Sequence, residues 1–310
     1  MIKIDAVQHR FDTNETMFLK RQLESIEGKI YEFKQRELKY RNFIPVSNRD
    51  NPGAETITYR MLRKVGMAKI VANYAKDLPR ADAYMTEYTQ KVKTIASSVG
   101  YNTQEIRAAQ MANVPLDIEK SSSMRRAIRE LENSICWAGD TETGIIGILN
   151  NTNIPTLAAA AGVGGTTWAL KTAQEIIVDV RTVMSQVRQQ SNGIHEVNTI
   201  LMPRAQYDLI EGLLINTTTT QTVLQFLKSV YPNVTFDVLE TELDSAFTGG
   251  TEDGLFAYEK DADVLEQRIP LELTLLPIEA RGLELMICGE ARNGGVVVRY
   301  PLAMTFFTGI

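Results

Sequence analysis

The stretch that decides the fold is Ser123-Met124-Arg125-Arg126-Ala127-Ile128-Arg129-Glu130-Leu131, which continues to Ile135 and Gly139. Its apolar residues Met124, Ile128, Leu131 and Ile135 are spaced by four, three and four, which lines one face of a helix. The arginines fall on the other side. Gly139 suits the left-handed backbone that follows many helix ends. We therefore predict a long helix over residues 115–138 with its apolar stripe in the core.

Upstream of this helix, the sequence predicts a long hairpin. Residues 55–74 and 84–99 have strand character, and a polar, basic segment joins them. A two-stranded ribbon alone is marginally stable in water, so we expect it to pack against a neighbouring molecule. Its basic cluster is Arg60, Arg63, Lys64 and Lys69. These side chains fit phosphate contacts and fit salt bridges to an acidic neighbour equally well.

Nearer the N-terminus, residues 14–42 predict another long helix. Leu19, Leu23 and Ile26, followed by Ile30 and Phe33, share one face, while the opposite face is charged. Such a helix fits an ordinary core element, and it also fits an arm that packs on another subunit. Both interpretations stay open, and a strand over residues 43–46 follows.

Beyond residue 150 the pattern becomes α/β. Thr172 and Glu175 form a capping box before a helix that ends ahead of Gly193. We predict strands at 198–202 and 234–239, and helices at 204–214 and 220–231. Later strands are predicted at 254–259, 268–276, 283–288 and 295–307, with Asn293-Gly294-Gly295 as the hairpin turn of the last two. The fold class is α+β with an α/β unit inserted at roughly 150–265.

The composition is that of a globular chain with little catalytic equipment. Of 310 residues, 44% are hydrophobic and 23% charged, which suits a core and about two domains. Two histidines and two cysteines offer few bases, metal ligands or disulfides, so we expect buried free thiols and no cofactor. We find no signal peptide and no run of 18 apolar residues, and expect a soluble protein of a reducing cytosol with no membrane span.

Charge is distributed unevenly along the chain. Residues 1–150 carry 23 Lys/Arg against 19 Asp/Glu, and residues 151–310 carry 10 against 19, so +4 and −9 sum to −5. This balance argues against a generic basic nucleic-acid binder. It fits two domains with different surfaces, and it also fits a polar partner for one half.

Two local patterns hint at chemistry but have simpler explanations. Residues 161–167, Ala-Gly-Val-Gly-Gly-Thr-Thr, resemble a phosphate-binding loop but lack its lysine, so we expect an ordinary loop. His9 and His195 lie in no catalytic motif. For His195, which follows a helix-ending Asn-Gly, we expect a loop or capping role.

Two carboxylate pairs form a third pattern. Glu240 and Glu242, like Asp261 and Asp263, lie two apart in strand-like stretches, so each pair should point to one face. A two-metal or glycosidase site uses such spacing, and so does a solvated strand face. We find no third ligand in a matching motif.

Several motifs then stand in a specific order: Asn42-Phe43-Ile44-Pro45-Val46, Gly66-Met67-Ala68-Lys69-Ile70, Asp77-Leu78-Pro79-Arg80-Ala81-Asp82, Tyr101-Asn102-Thr103-Gln104-Glu105-Ile106-Arg107-Ala108-Ala109, Ser123-Met124-Arg125-Arg126-Ala127, Gly139-Asp140 with Gly144-Ile145-Ile146-Gly147-Ile148-Leu149-Asn150, and Gly294-Gly295-Val296-Val297-Val298-Arg299-Tyr300-Pro301. In this order they resemble the major capsid proteins of tailed bacteriophages, whose HK97-like fold is shared by encapsulin shells. The resemblance covers nearly the whole chain.

In the family's terms, residues 1–50 are an N-terminal arm, 51–95 an extended E-loop, 96–148 with 266–310 the P domain, and 149–265 the A domain. The implied contacts between subunits lie in the arm and the E-loop, at Leu19, Leu23, Ile26, Arg60, Arg63, Lys64 and Lys69. The implied core of the family's spine helix is Met124, Ile128, Leu131 and Ile135. Lys64 and Lys69 lie where some members crosslink, but neither matches that motif.

The resemblance also implies the partners. The chain would assemble with itself into pentamers and hexamers of an icosahedral shell around double-stranded DNA, with scaffold, portal and decoration proteins, in a virion capsid formed in the bacterial cytoplasm. It implies no catalytic, metal or cofactor role and no membrane contact. Two alternatives stay open: an encapsulin-type compartment around protein cargo, and a soluble enzyme using Glu240 or Asp261.

Overall fold

The computed structural model describes residues 34–70, 78–112, 116–216, 220–245 and 253–310. By its internal contacts the chain divides into residues 1–37 and residues 38–310. In the first unit the structure describes residues 34–37, which lie in no helix or strand. Leu19, Leu23 and Ile26, predicted as arm contacts, lie outside the described residues.

The helices of the second unit, within the described residues, are α1 Tyr40–Phe43, α2 Thr103–Ala112, α3 Leu116–Trp137, α4 Ala173–Gln190, α5 Arg204–Gly212 and α6 Val223–Val230. The strands are β1 Val46–Ser47, β2 Thr56–Val65, β3 Asp82–Lys91, β4 Lys93–Asn102, β5 Thr156–Ala158, β6 Thr199–Met202, β7 Thr235–Val238, β8 Gly254–Tyr258, β9 Leu265–Arg268, β10 Leu271–Leu275, β11 Glu279–Arg281, β12 Glu284–Asn293, β13 Val296–Val298 and β14 Met304–Thr308. The α+β fold class is confirmed.

Helix α3 ends as the sequence predicts. The N–H of Gly139 bonds the carbonyl of Ile135 at 3.0 Å, and Gly139 has φ +69°. A Cβ there would lie 2.4 Å from Asn150 Nδ2, so only glycine fits this tight exit. The chain then folds back, and the N–H of Ile148 bonds the carbonyl of Cys136 at 3.0 Å.

One face of α3 packs on a sheet in which β12 pairs β10, β11 and β4. Met124, Ile128 and Ile135 are buried in a cluster with Ile95 and Ala291, as predicted. The same prediction was wrong for Leu131, which is 47% exposed.

The inward position next to Leu131 is taken by a polar residue. Glu132 is buried and accepts hydrogen bonds from Tyr40 Oη at 2.5 Å and Arg41 Nη2 at 3.0 Å. Asn133, also buried, donates to Glu242 Oε1 at 2.9 Å. These bonds turn positions 132 and 133 inward and leave Leu131 on the surface.

A five-stranded sheet in the order β5-β14-β8-β6-β7 carries the second large core. Helix α4 covers it with Ile176, Val180, Val183 and Val187, all fully buried. The predicted capping box is confirmed, because Thr172 accepts the N–H of Glu175 and the Glu175 carboxylate accepts that of Thr172. The C-terminal strand β14 lies between β5 and β8.

Near the N-terminal end of the described chain, two predictions were wrong. Of the helix predicted over 14–42, residues 14–33 lie outside the described residues, residues 34–39 lie in no helix, and α1 is a single turn. The apolar spacing that ends at Phe33 would next reach Glu37, so the stripe stops there. The strand expected at 43–46 is β1, shifted to Val46–Ser47, because Phe43 lies in α1 and is buried.

Strand pairing corrects three further boundaries. The arm predicted at 84–99 is two strands, β3 and β4, which belong to different sheets. They separate at Val92, whose side chain is buried and whose N–H bonds the carbonyl of Glu55. The segment 268–276 likewise divides between β9 and β10, while the predicted strand at 283–288 extends to Asn293 as β12.

The turn Asn293-Gly294-Gly295 does not close a hairpin. Strand β12 pairs β10, β11 and β4, whereas β13 pairs β9. The turn instead carries the chain between two sheets, with hydrogen bonds between Gly294 N and Arg268 O and between Arg268 N and Gly295 O. Long-range pairing with β9 therefore overrides the local hairpin signal.

Candidate assembly surfaces

Strands β2 and β3 form the predicted ribbon, in register from Thr56 opposite Lys91 to Val65 opposite Asp82. These two strands pair with each other alone among the described strands. The predicted hairpin is therefore present as a two-stranded ribbon with ten residues in each strand.

The ribbon is anchored at its root, which is the end that carries the paired residues Ile57 and Gln90. Ile57 is buried, and the buried amide of Gln90 donates to the carbonyls of Ile146 and Val296 at 3.4 and 3.3 Å. Tyr59 and Tyr88 stack with their ring centroids 5.4 Å apart. Partial burial and the neighbouring Tyr88 raise the pKa of Tyr59, so the Tyr59 hydroxyl stays protonated at physiological pH.

Beyond the root the ribbon is exposed on both sides. Leu62 lies opposite Met85, and both are more than half exposed, at 56% and 60%. Exposed apolar side chains continue toward the tip at Val65, Met67, Ile70, Leu78 and Tyr84. A concentration of exposed apolar side chains on one element is typical of a protein contact site.

The predicted basic contact residues differ in their surroundings. Arg60 Nε bonds Glu87 Oε1 across the ribbon at 2.7 Å, so its charge is matched locally. Arg63 and Lys64 are exposed, and no described residue pairs with them. Lys69 is also exposed but lies beyond the end of β2.

A cleft of about 790 Å³ separates the ribbon from the body of the subunit. The ribbon contributes Tyr59, Met61, Arg63 and Tyr88. The body contributes polar and aromatic groups that include Gln190, His195, Arg299 and Tyr300. The cleft is large enough to admit side chains of another polypeptide.

A second exposed apolar patch lies at the far end of the β10–β11–β12 sheet. Its members are Leu275, Leu276, Ile278, Leu283 and Leu285, each at least 37% exposed. The sequence prediction missed this patch, although the density of leucine and isoleucine around the turn at 282 was a usable signal. The subunit thus has two separate regions of exposed apolar side chains, on the outer ribbon and at the end of this sheet.

An ionic cluster around the buried Glu266 joins the segment 49–50 to β9 and Arg299 near the ribbon root. Glu266 is 2% exposed and pairs with Arg49 at 2.5 Å, with Arg268 at 2.7 Å and with Arg299. Arg268 also reaches Asp50 at 3.0 Å. No local motif predicts this cluster, because its members come from three chain segments that are far apart in sequence: residues 49–50, residues 266–268 and Arg299.

The residues weighed for chemistry take structural positions. His195 Nδ1 lies 2.6 Å from Glu259 Oε2, and the ring contacts Tyr300. Cys136 is fully buried, and desolvation, with nearby Glu242 and Glu132, raises its pKa well above the usual value. Cys288 is half-buried, and both thiols are free.

The two carboxylate pairs lie in turns and not in strands, so that expectation was wrong. Glu242 is buried and accepts a hydrogen bond from Asn133, whereas Glu240 Oε1 lies 3.9 Å from Lys39 Nζ. The two side chains therefore have different surroundings. Asp261 accepts the N–H of Asp263 at 2.7 Å in a tight turn. Within the described ranges no cluster of three or more His, Cys, Asp or Glu side chains is placed to hold a metal ion.

The glycine-rich segment at 161–167 is a loop, as expected. The N–H of Gly162 bonds the carbonyl of Gly165 at 2.8 Å, and Val163 N–H bonds Glu175 Oε1 at 2.9 Å. The helix cap thus serves this loop as an internal anchor.

Among the described residues, the structure contains no helix with the length and apolar character that a membrane span requires.

A family model described as "Major capsid protein" matches residues 66–310. The chain belongs to the major capsid protein family. It is a shell-forming capsid protein, and the resemblance drawn from the ordered motifs is confirmed. No curated protein matches the sequence.

Solved structures share the fold of this capsid protein at low sequence identity. The capsid of Myoviridae phage XM1 has 19% identity and a TM-score of 0.83, over 95% of this chain and 99% of that one. Mycobacterium phage Ogopogo gives 13% and 0.63, over 94% and 99%. A virus-like particle from Pyrococcus furiosus gives 12% and 0.55, over 86% and 90%. The HK97-like fold is thereby confirmed.

Proposed function

We propose that this capsid protein forms an icosahedral virion shell around double-stranded DNA. Copies would associate as pentamers and hexamers, in the cytoplasm of a bacterial host, with scaffold, portal and decoration proteins as further partners. Its role would be structural, without catalysis. The family membership supports shell formation. We propose that contacts made by the ribbon hold the shell together.

The observation that supports this proposal is the contrast in burial between the root and the outer part of the ribbon. The root is buried and hydrogen-bonded, so the ribbon has a fixed origin on the body. Its outer part exposes Leu62, Met85 and other apolar side chains, and such a hairpin is marginal alone in water. Contact with a neighbouring subunit removes this surface from water. Repeated under symmetry, the same contact closes a shell.

We propose the domain divisions given by the resemblance as the working description of the assembled subunit. The ribbon falls in the E-loop of residues 51–95, α3 in the P domain of 96–148 with 266–310, and α4 to α6 in the A domain of 149–265. The arm of 1–50 would clasp another subunit. Weak individual contacts suffice, because multivalency amplifies them.

Sedimentation velocity of the purified chain tests shell formation. We expect a fast-sedimenting particle of many copies beside free subunits, in proportions that follow protein concentration. A species that stays monomeric under every assembly condition would contradict the proposal.

The second candidate is an encapsulin-type compartment around protein cargo, because encapsulin shells share the HK97-like fold and this fold is also found in a virus-like particle from Pyrococcus furiosus. Particles isolated from infected or producing cells separate the two. Nuclease-protected double-stranded DNA inside them supports the virion shell. Particles filled with one co-encoded protein and no DNA support the compartment.

A further inference from the structure

Beside the spine helix α3 lies a groove of about 330 Å³ with an apolar floor and an arginine rim. Ile128, Leu273 and Leu275 form the floor. Arg125 and Arg129, one helical turn apart, share the rim with Arg41. We refer to these six residues as the arginine groove.

The carboxylates of the groove are already engaged. Arg41 holds Glu272 with two bonds, of 3.0 and 2.9 Å, and also holds Glu132 at 3.0 Å. Glu132 additionally accepts the Tyr40 hydroxyl. Neither carboxylate is recorded with a bond to Arg125 or Arg129.

Arg125 and Arg129 have no charged or hydrogen-bonding partner among the described residues, and both are exposed. Like charges four apart on a helix destabilise it slightly. Their neighbour Arg126 differs, since its Nε bonds Glu130 at 2.7 Å. The helix therefore supplies a carboxylate for Arg126 and none for the pair beside the apolar floor.

We propose that the arginine groove receives a carboxylate-bearing segment of a second copy of this chain. Unpaired guanidinium groups beside an apolar floor suit a protein contact, since arginine is enriched at interfaces and binds carboxylates with two bonds. The chain itself offers the complementary charge. Exposed carboxylates without a partner among the described residues include Glu55, Glu142, Glu211, Asp263 and Glu284.

This inference rests on the proposed shell, because it needs copies in contact. It adds a specific electrostatic contact on α3 to the apolar contacts of the ribbon. Pairing with a neighbour's carboxylate removes the like-charge repulsion between Arg125 and Arg129. Where the partner is Glu211, Asp263 or Glu284, the contact also joins the basic N-terminal half of one copy to the acidic C-terminal half of another.

Zero-length crosslinking tests the contact directly. The variants R125K and R129K keep the positive charge and supply an amine that a carbodiimide joins to a carboxylate in direct contact. Shells are assembled from a mixture of ¹⁴N- and ¹⁵N-labelled protein, treated, digested and analysed by mass spectrometry. Mixed-isotope peptides identify links between copies.

We expect mixed-isotope links from position 125 or 129 to an acidic peptide in shells, and their loss in free subunits. R126K is the matched control and should link within one copy, to Glu130. The native pair Lys120 and Glu105, 2.7 Å apart, reports that the chemistry worked.

Three outcomes would overturn the inference. Shells that give the control links but none between copies from 125 or 129 overturn it alone and leave the proposed function standing. Loss of bound duplex DNA in R125A/R129A, with those links absent, would assign the groove to phosphate instead. A chain that never assembles overturns the proposed function and this inference together.

Discussion

At the residue scale, burial separates two neighbours on α3 that the sequence treated alike. Ile128 is 2% exposed and packs against Ile95 and Ala291, whereas Leu131 is 47% exposed. We expect Ile128→Ala to lower the free energy of unfolding by about 2–5 kcal/mol, through lost burial and a cavity. Leu131→Ala should change it by about 0.5 kcal/mol or less.

Urea denaturation of unassembled subunits measures both variants. Equal losses at the two positions would contradict the burial pattern of α3. The comparison is matched, since both changes shorten a branched aliphatic side chain of the same helix.

A second residue-scale prediction concerns the cap of α4. The carboxylate of Glu175 accepts the N–H groups of Thr172 and Val163 at 2.8 and 2.9 Å, and these bonds lower its pKa. The folded state thus favours the ionised form. The resulting stability is present above the usual glutamate pKa of about 4.3 and is lost as the pH falls through the lowered value of the folded state.

Melting temperatures across the acid range check this linkage. Glu175→Gln should melt lower than wild type near neutral pH and show a shallower decline on acidification. An identical acid slope in the two proteins would show that Glu175 does not contribute. Thr172→Ala, which removes the hydroxyl of the cap, should cost about 1 kcal/mol.

At the element scale, the proposed function assigns the outer part of the ribbon to assembly and not to folding. Leu62 and Met85 lie opposite each other and exposed, so L62S/M85S should leave the circular dichroism and melting temperature nearly unchanged. It should shift the assembled fraction in sedimentation strongly toward free subunits. The reason is that their apolar surface is buried only against a neighbour.

The matched control is T58S/T89S, a directly opposite pair on the same ribbon face whose hydroxyls lie 3.0 Å apart. This control should assemble like wild type. Normal assembly of L62S/M85S would remove the outer ribbon from the interface.

Elements whose signals are local were predictable from the sequence. The cap of α4 depends on Thr172 and Glu175 three residues apart, and the exit of α3 depends on Gly139 alone. The end of β3 was not predictable, because Val92 is fixed by Glu55 and not by its neighbours in sequence. The turn at 293–295 failed for the same reason, since β13 pairs with the distant β9.

The candidate surfaces divide in the same way. The ribbon and its basic residues followed from alternation and charge, but the local partner Glu87 of Arg60 follows only from the strand register. The arginine groove needed the structure, because Arg41 and Leu273 come from elements remote from α3. Leu131 was misassigned since Glu132, bonded to Tyr40 and Arg41, takes the inward position.

At the scale of the whole molecule, the charge halves of +4 and −9 predict salt-sensitive assembly. Arg63 and Lys64 on the ribbon are unpaired within the described residues, so acidic surfaces of neighbours are their natural partners. Raising the salt from ~0.1 M to ~1 M shortens the Debye length from ~10 Å to ~3 Å. We expect initial assembly to be slower at the higher salt concentration, and light scattering measures its rate. An assembly rate that does not change with ionic strength would show that the charge difference between the two halves has no role in contacts between copies.

The measurement that most directly tests the central claim is a cryo-electron microscopy reconstruction of particles assembled from this chain. We expect a closed icosahedral shell in which the ribbon of residues 56–65 and 82–91 lies on an adjacent copy, with Leu62 and Met85 covered. Particles without closed symmetry, or a shell whose ribbons point into solvent with both residues bare, would contradict it.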